Sequence, residues 1–545
     1  MSYTRRNTTD GVTVMNKDLY DNLQDGIEEK PFYYNSVEEM KADKRLKEDM
    51  KAITLGYYEP NDGGGATYII KEKSSLPNEI TVLSLKDGKL CAEIQKNEMG
   101  YYNVLTLGVE RNSGKDVTDK INAILNILYN ETIYFPKGIY DVTSIKIPYP
   151  MTFLGSDSAS YGGEYSITEN DYTNERTILR YCGTGNEDMV TIAQTVKVIF
   201  DGITFYGNSV EYLHDETILP TVGVGATQNT EKISLQNVNG FKGQGITVKH
   251  CRFYKFSGYA VKVTGLSTVI ECSFNWCATA ILVEWDCVID NIIIGYGRTG
   301  ILCKPDRLSS CGANIISNIR CDGLMGYPIE LINSTRNTIT DLIVDQIDKA
   351  GICLNNSMNN SFINCNLNRT AKYYAGSSKA DLPDETLGFA SAIYFCGESC
   401  QGNYIDAHIY QEQFDDNTSH SGVISPSLFV ISEAKYTRSN NINITSSLQL
   451  TTYDKVINGI ENLVSAFNGK FFSPTDLFYI NSFKIITQPD NFSGILEING
   501  CIVKSLHNPE YLTPYYIGQG LLHNGKYYVA TDVKKGSWKE ISNTV

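Results

Sequence analysis

From residue 246 to residue 410 the chain repeats a short unit in which apolar and polar positions alternate. Its first apolar pair can be lined up within His250-Cys251-Arg252-Phe253, Glu271-Cys272-Ser273-Phe274, Asp290-Asn291-Ile292-Ile293, Asp341-Leu342-Ile343, Asn364-Cys365-Asn366-Leu367 and Asp406-Ala407-His408-Ile409. A second pair follows each: Val261/Val263, Ile281/Val283, Ile301/Cys303, Ile329/Leu331, Ile352/Leu354 and Ile393/Phe395. The usual step from unit to unit is about 20–25 residues, too long for an array of hairpins and suited to one turn of a solenoid. Gly258, Ala278, Gly300 and Ala350 just ahead of the second pairs predict tight bends between strands. The pattern predicts a mainly β chain built on a right-handed parallel β-helix, over residues 143–453.

Outside that span the periodicity changes. Residues 13–30 predict one short helix: Asn16 can cap it, and Leu19, Leu23 and Ile27 recur along one face. Residues 31–100 read as a separate small module, with a helix over 37–47 and Gly63-Gly64-Gly65 between two β-prone runs. The triple glycine is a turn rather than a phosphate loop, since no Lys-Ser/Thr follows it. Within residues 101–142, Asp116 or Thr118 starts a helix with Ile121, Ile124, Leu125 and Leu128 on one face, suited to covering the open end of a solenoid. Beyond residue 454, alternating runs joined by Asn-Gly and Pro-Asp-Asn turns predict an antiparallel β domain.

Composition narrows the partners. With 545 residues and 42% hydrophobic content the chain can bury a sizeable core. A net charge of −15 gives no basic footprint for nucleic acid or an anionic membrane. No apolar run is long enough to span a bilayer, and residues 1–30 lack the apolar core of a signal peptide, so a protein made and kept in a cytoplasm is expected. The fourteen cysteines include Cys251, Cys272, Cys303 and Cys365 at inward positions, where stacking would form a buried thiol ladder. With no CxxC pair and scattered histidines, neither a metal nor another cofactor is called for.

Two stretches resemble a known family. Val-Glu-Glu-Met-Lys-Ala-Asp, Thr-Leu-Gly-Tyr-Tyr and Asn-Asp-Gly-Gly-Gly-Ala-Thr-Tyr, in that order, are similar to the adaptor module that precedes the β-helix in many bacteriophage tail spikes. The helix followed by Tyr134-Phe135-Pro136-Lys137-Gly138-Ile139-Tyr140 resembles the opening of pectate-lyase-like β-helices. The resemblance implies a virion-anchoring role for residues 1–30, attachment to tail or baseplate proteins, a homotrimer, and a trimer-stabilising or glycan-binding role for residues 454–545. It also implies recognition of a bacterial surface polysaccharide, either cut by a depolymerase or held without cutting.

The residues offer chemistry in two places. His250, Glu271, Asp290, Asp341, Asn364 and Asp406 line up as an outward column. Glu271 and Asp290, on neighbouring coils, would stand about 5 Å apart, as in a retaining glycosidase, and carboxylates two coils apart about 9–10 Å, toward the inverting range. A solvated acidic face that blocks lateral aggregation fits the same column. The second place surrounds two long insertions that follow Leu367 and Ile409: Asp406 and Glu412 as carboxylates, with Tyr373, Tyr374, His408 and Tyr410 to contact sugar. Arg252, Trp276 and Trp285 are the substrate-binding candidates beside the first. These insertions and a third, after Phe205, are expected to leave the solenoid at one corner.

Overall fold

A computed structural model describes residues 31–541, apart from 73–76, 87, 157–175, 215–228, 234–236, 307–309, 346, 348, 369, 371–390, 411–427, 433, 447–466, 470–476, 481–482, 487–494, 499–500, 505–509, 511–519 and 524–525. The expected helix over residues 13–30 lies outside the described residues.

Residues 32–94 form a five-stranded sheet of their own, accompanied by the helix Val37–Ala42, whose Ser36 side chain accepts a hydrogen bond from the Glu39 N–H. The helix Thr118–Leu125 buries Ile121, Ile124 and Leu125. Its first N–H, that of Thr118, donates to Asp116 Oδ1 at 2.8 Å. From Glu131 onward the strands stack in parallel coils, the architecture of a right-handed parallel β-helix. One wall is the broad sheet, with Thr268–Asn275, Val288–Gly295, Ile315–Asp322, Thr338–Asp345 and Ser361–Asn368 as successive rungs. The second is an eleven-stranded sheet that includes Tyr259–Thr264, Thr279–Val283, Thr299–Cys303, Ile329–Ile332 and Ile352–Asn355. Parallel pairing continues beyond residue 453, through Phe467–Gly469 and Leu477–Ile480, before the pairing turns antiparallel at Phe483–Ile486. No helix among the described residues is long and apolar enough to cross a membrane.

Left-handed residues set the corners. Gly202, His250, Glu271, Asn291, Asn318, Asp341 and Asn364 all have φ between 51° and 70°, and their flanking residues pair coil to coil, so they form one column that bends the broad sheet in mid-strand. A second column, with Gly245, Leu266, Asp286, Ala313, Arg336, Asn359, Gly402 and Ser439, turns the chain into the broad sheet. Asn, Asp and Gly tolerate this conformation best, and they hold most of these positions.

Behind the second column runs a buried ladder of amides. Asn314 Nδ2 donates to Asn337 Oδ1 (2.8 Å), Asn337 to Asn360 (2.8 Å), Asn360 to Asn403 (3.0 Å) and Asn403 to Asn440 (2.9 Å). Each acceptor oxygen also takes the backbone N–H of the previous coil's asparagine, as Asn360 Oδ1 does from Asn337 at 3.1 Å. The interior beside it is apolar: Phe205, Phe253 and Phe274 stack at 5.1 and 4.7 Å between ring centroids. Cys251, Cys272, Cys303 and Cys365 are buried as expected, but the continuous thiol ladder is not formed. Cys251 and Cys272 stack, Ile292, Ile319 and Leu342 fill the next rungs before Cys365, and Cys303 belongs to the other sheet.

Asn360→Ala strips hydrogen-bond partners from buried groups on both neighbouring coils and is expected to cost about 3–5 kcal/mol, read from the guanidinium unfolding midpoint. Leu266→Asn replaces an 80% exposed leucine at φ 59° and is expected to stabilise by about 0.5–1 kcal/mol in the same measurement.

Candidate functional site

The bend column brings a histidine between two acids. His250 Nδ1 lies 2.7 Å from Asp201 Oδ1 and its Nε2 lies 2.7 Å from Glu271 Oε2, while Lys249 Nζ sits 3.0 Å from Asp201 Oδ2. Asp201, His250 and Glu271 thus form a relay across three coils on the outside of the broad sheet. Carboxylate oxygens only accept, so two protons must be shared among these three groups for both contacts to be hydrogen bonds.

The register corrects the expected pairing of Glu271 with Asp290. Ile270 stands opposite Asp290, and Cys272 opposite Ile292, so Glu271 falls in the column of Asn291 and Asp290 one position earlier. The physical reason is the run Ile292-Ile293-Ile294: all three residues are apolar, so alternation cannot show which point inward, and the left-handed bend adds a residue that simple alternation does not count. Asp290 Oδ1 instead accepts from Ser317 Oγ (2.7 Å) and Asn318 Nδ2 (2.8 Å) on the next coil. Asp341 Oδ1 accepts from Asn364 Nδ2 (2.5 Å) and Asp406 Oδ1 from Asn443 Nδ2 (3.0 Å). The outward acids of this face are therefore tied into coil-to-coil hydrogen bonds.

Other candidates are dispersed. Arg252 is buried, paired in register with Thr204 and Ser273. Trp276 is itself a left-handed corner residue, its ring 6.0 Å from that of Tyr296. Trp285 bridges to Gly312 at the far end of the strand Thr279–Val283, so the two tryptophans stand at different corners rather than side by side around Glu271. His408 is half-buried two residues from Asp406, between Asn366 and Thr445. Tyr373, Tyr374 and Glu412 lie outside the described residues, and of Tyr410 only the backbone is described, as the end of the strand Tyr404–Tyr410. The strands flanking all three insertions run from the broad sheet to the eleven-stranded sheet, so the insertions share one topological corner; residues 215–228, 371–390 and 411–427 within them are outside the described residues.

That corner borders a face that alternation alone did not single out, the outside of the eleven-stranded sheet. A shallow hollow there is lined by Asn239, Tyr259, Thr279, Leu282, Arg298 and Leu302. Beside it the buried Lys262 Nζ lies 2.6 Å from Asp306 Oδ2 and 3.2 Å from Glu284 Oε1, with Lys242 also 3.3 Å from Asp306. The Lys262 contact, with Lys242 behind it, holds the Asp306 carboxyl below the usual carboxylate range. Asp188 Oδ1 accepts from Asn239 Nδ2 (2.8 Å) and Tyr259 Oη (3.3 Å). Further along, Glu330 projects outward between Leu302 and Cys353, and Tyr327, Ala350, Cys353 and Tyr394 pack together as a cluster on this outer side. Burial pushes the Glu330 carboxyl above its ordinary value, against the opposing pull of Lys349 and Lys304. The only sequence signal for it is a charged residue in the middle of Ile329-Glu330-Leu331-Ile332.

These features define a right-handed parallel β-helix. Residues 101–302 match the family model described as Rhamnogalacturonase A/epimerase, pectate lyase-like, and residues 231–445 match that of the right handed beta helix region. Among solved structures the chain is similar to full-length tailspike protein 2 of an Escherichia coli O157:H7 bacteriophage, at 13% identity and TM-score 0.51, covering 86% of this chain and 58% of that one. The enzymatically active domain of bacteriophage CBA120 tailspike protein 2 aligns at 14% identity and TM-score 0.51, over 78% of this chain and 58% of that one. Both likenesses are of fold, and the chain covers 58% of each of these tailspike chains. No curated protein matches.

Lys262→Met leaves Glu284 and Asp306 without their shared cation and is expected to cost about 1–3 kcal/mol, below the figure for a fully buried pair because Asp306 is half exposed. Glu271→Ala, at an exposed pair, is expected to cost less than about 1 kcal/mol, and thermal melts of the two variants against wild type read both figures.

Proposed function

We propose that this chain is a tailspike-like protein that recognises a bacterial surface polysaccharide and depolymerises it during host attachment. The observation that carries the proposal is the contrast between two carboxyl groups on the outer face of the eleven-stranded sheet. Asp306 pairs with Lys262 and Lys242 at 2.6 and 3.3 Å, which lowers its carboxyl pKa, while Glu330 sits half-buried between Leu302 and Cys353, which raises its own. Acid–base cleavage of a glycosidic bond needs carboxyl groups in such unlike environments. The fold shared with a tailspike whose active domain is enzymatic supports the same reading. So does the corner where three insertions flank that sheet, because long loops on a rigid scaffold are where binding usually resides.

On this reading the protein belongs to a virion tail appendage, is joined to tail or baseplate proteins through its N-terminal residues and works as a homotrimer. The Asp201–His250–Glu271 relay is a second seat for acid–base chemistry, favoured by its 2.7 Å contacts and by the exposure of Glu271. Asp290, Asp406 and His408 on the broad sheet are then groups for sugar hydroxyls, and Glu412, Tyr373, Tyr374 and Tyr410 belong to the insertion corner.

Purified protein incubated with surface polysaccharide from the host is expected to release new reducing ends and shorten the polymer, or to generate unsaturated-uronate absorbance if it eliminates. Retained binding with no product after days of incubation would reject depolymerisation in favour of a non-catalytic receptor-binding spike.

A further inference from the structure

Among the carboxylates of the two outer faces, Glu330 stands apart. Asp201 and Glu271 hold His250, Asp290 holds Ser317 and Asn318, Asp341 holds Asn364, and Asp306 and Glu284 hold Lys262. Glu330 is half-buried and makes no hydrogen bond or ion pair among the described residues. Leu302 and Cys353 flank it on the neighbouring strands. The buried Tyr327, Cys353 and Tyr394 cluster keeps one side dry. The charged and titratable groups around it are Lys304, Lys349, Tyr327 and Cys353, and Lys349 is itself drawn over the Tyr327 ring at 5.1 Å. A carboxyl group left poorly hydrated and unpaired is costly to the fold, and such groups gather where chemistry is done.

We propose that Glu330 is the proton donor for glycosidic cleavage on the outer face of the eleven-stranded sheet. The inference rests on the depolymerase reading and names its acid. The Glu330 O–H proton passes to the glycosidic oxygen as the anomeric C–O bond breaks and its electron pair moves to that oxygen. Water then adds its hydroxyl to the anomeric carbon, and its remaining proton restores the carboxyl group, so the net change is hydrolysis.

Two measurements on the full chain test this. Glu330→Gln is expected to cut the cleavage rate by at least about 100-fold with polysaccharide binding retained, and the wild-type rate is expected to fall on the alkaline side as the carboxyl ionises. Independently of activity, a carboxyl raised in the folded state keeps a proton that the unfolded chain releases, so stability drops as pH rises through the interval between the two values. Glu330→Gln lacks that drop, so it is expected to melt above wild type at about pH 7.5 and level with it at about pH 4. A Glu330→Gln protein that cleaves at the wild-type rate, or loss of cleavage in Glu271→Gln alone, overturns the assignment and leaves the depolymerase reading standing. A wild-type protein that binds the polysaccharide but never cuts it overturns that reading, and the assignment with it.

Discussion

Everything in this solenoid depends on the chain turning at the same place on each coil. The turn is made by single left-handed residues, and because they stack, the backbone groups on either side keep their partners on the coils above and below. A bend misplaced by one residue would put every side chain after it on the wrong face. The cost of left-handed φ at His250, Glu271 or Leu266 is therefore accepted locally, against a continuous parallel ladder gained on both sides.

The interior answers to the same constraint. Stacked phenylalanines and β-branched residues fill the space between the walls, while the amide ladder satisfies polar backbone groups that a tight corner would otherwise strand. With packing and hydrogen bonding settled inside, the two outer faces are free to differ. The broad face uses its acids to tie coils together through asparagine, serine and histidine. The eleven-stranded face ties Glu284 and Asp306 to Lys262 beside a hollow, and leaves Glu330 half-buried with no hydrogen bond among the described residues. Charge is thus structural along the broad wall, while on the other it is structural at Lys262 and unspent at Glu330.

Much of the architecture was legible from alternation and spacing, because inward pairs such as Val261/Val263, separated by Lys262, recur at the length of a coil. The site was less legible, for two physical reasons. A left-handed residue in mid-strand interrupts the period of two, and beside the unbroken run Ile292–Ile294 this displaced Asp290 by one column. Burial on an outer face depends on what neighbouring coils place there, so Glu330 looked like any outward glutamate until Leu302, Cys353 and Tyr394 were seen around it. The asparagine ladder did leave a trace, a left-handed corner residue followed by Asn and, two places on, an Ile or Phe, at 313–316, 336–339, 359–362, 402–405 and 439–442. It is visible only once the coils are aligned.

The amide ladder also bears on how such a molecule can change its size. Each asparagine serves the coil before it and is served by the one after, so the interior reads as a chain of identical couplings with no natural stopping point except its ends. A fraction of a coil cannot be inserted, since it would leave one coupling open in a place water does not reach. Whole coils can be added or removed, each shifting everything beyond it by about 4.8 Å along the axis. Length in this protein is therefore a counted quantity, and the distance between its N-terminal module and the carboxyl groups of its outer faces can change only in steps of one coil.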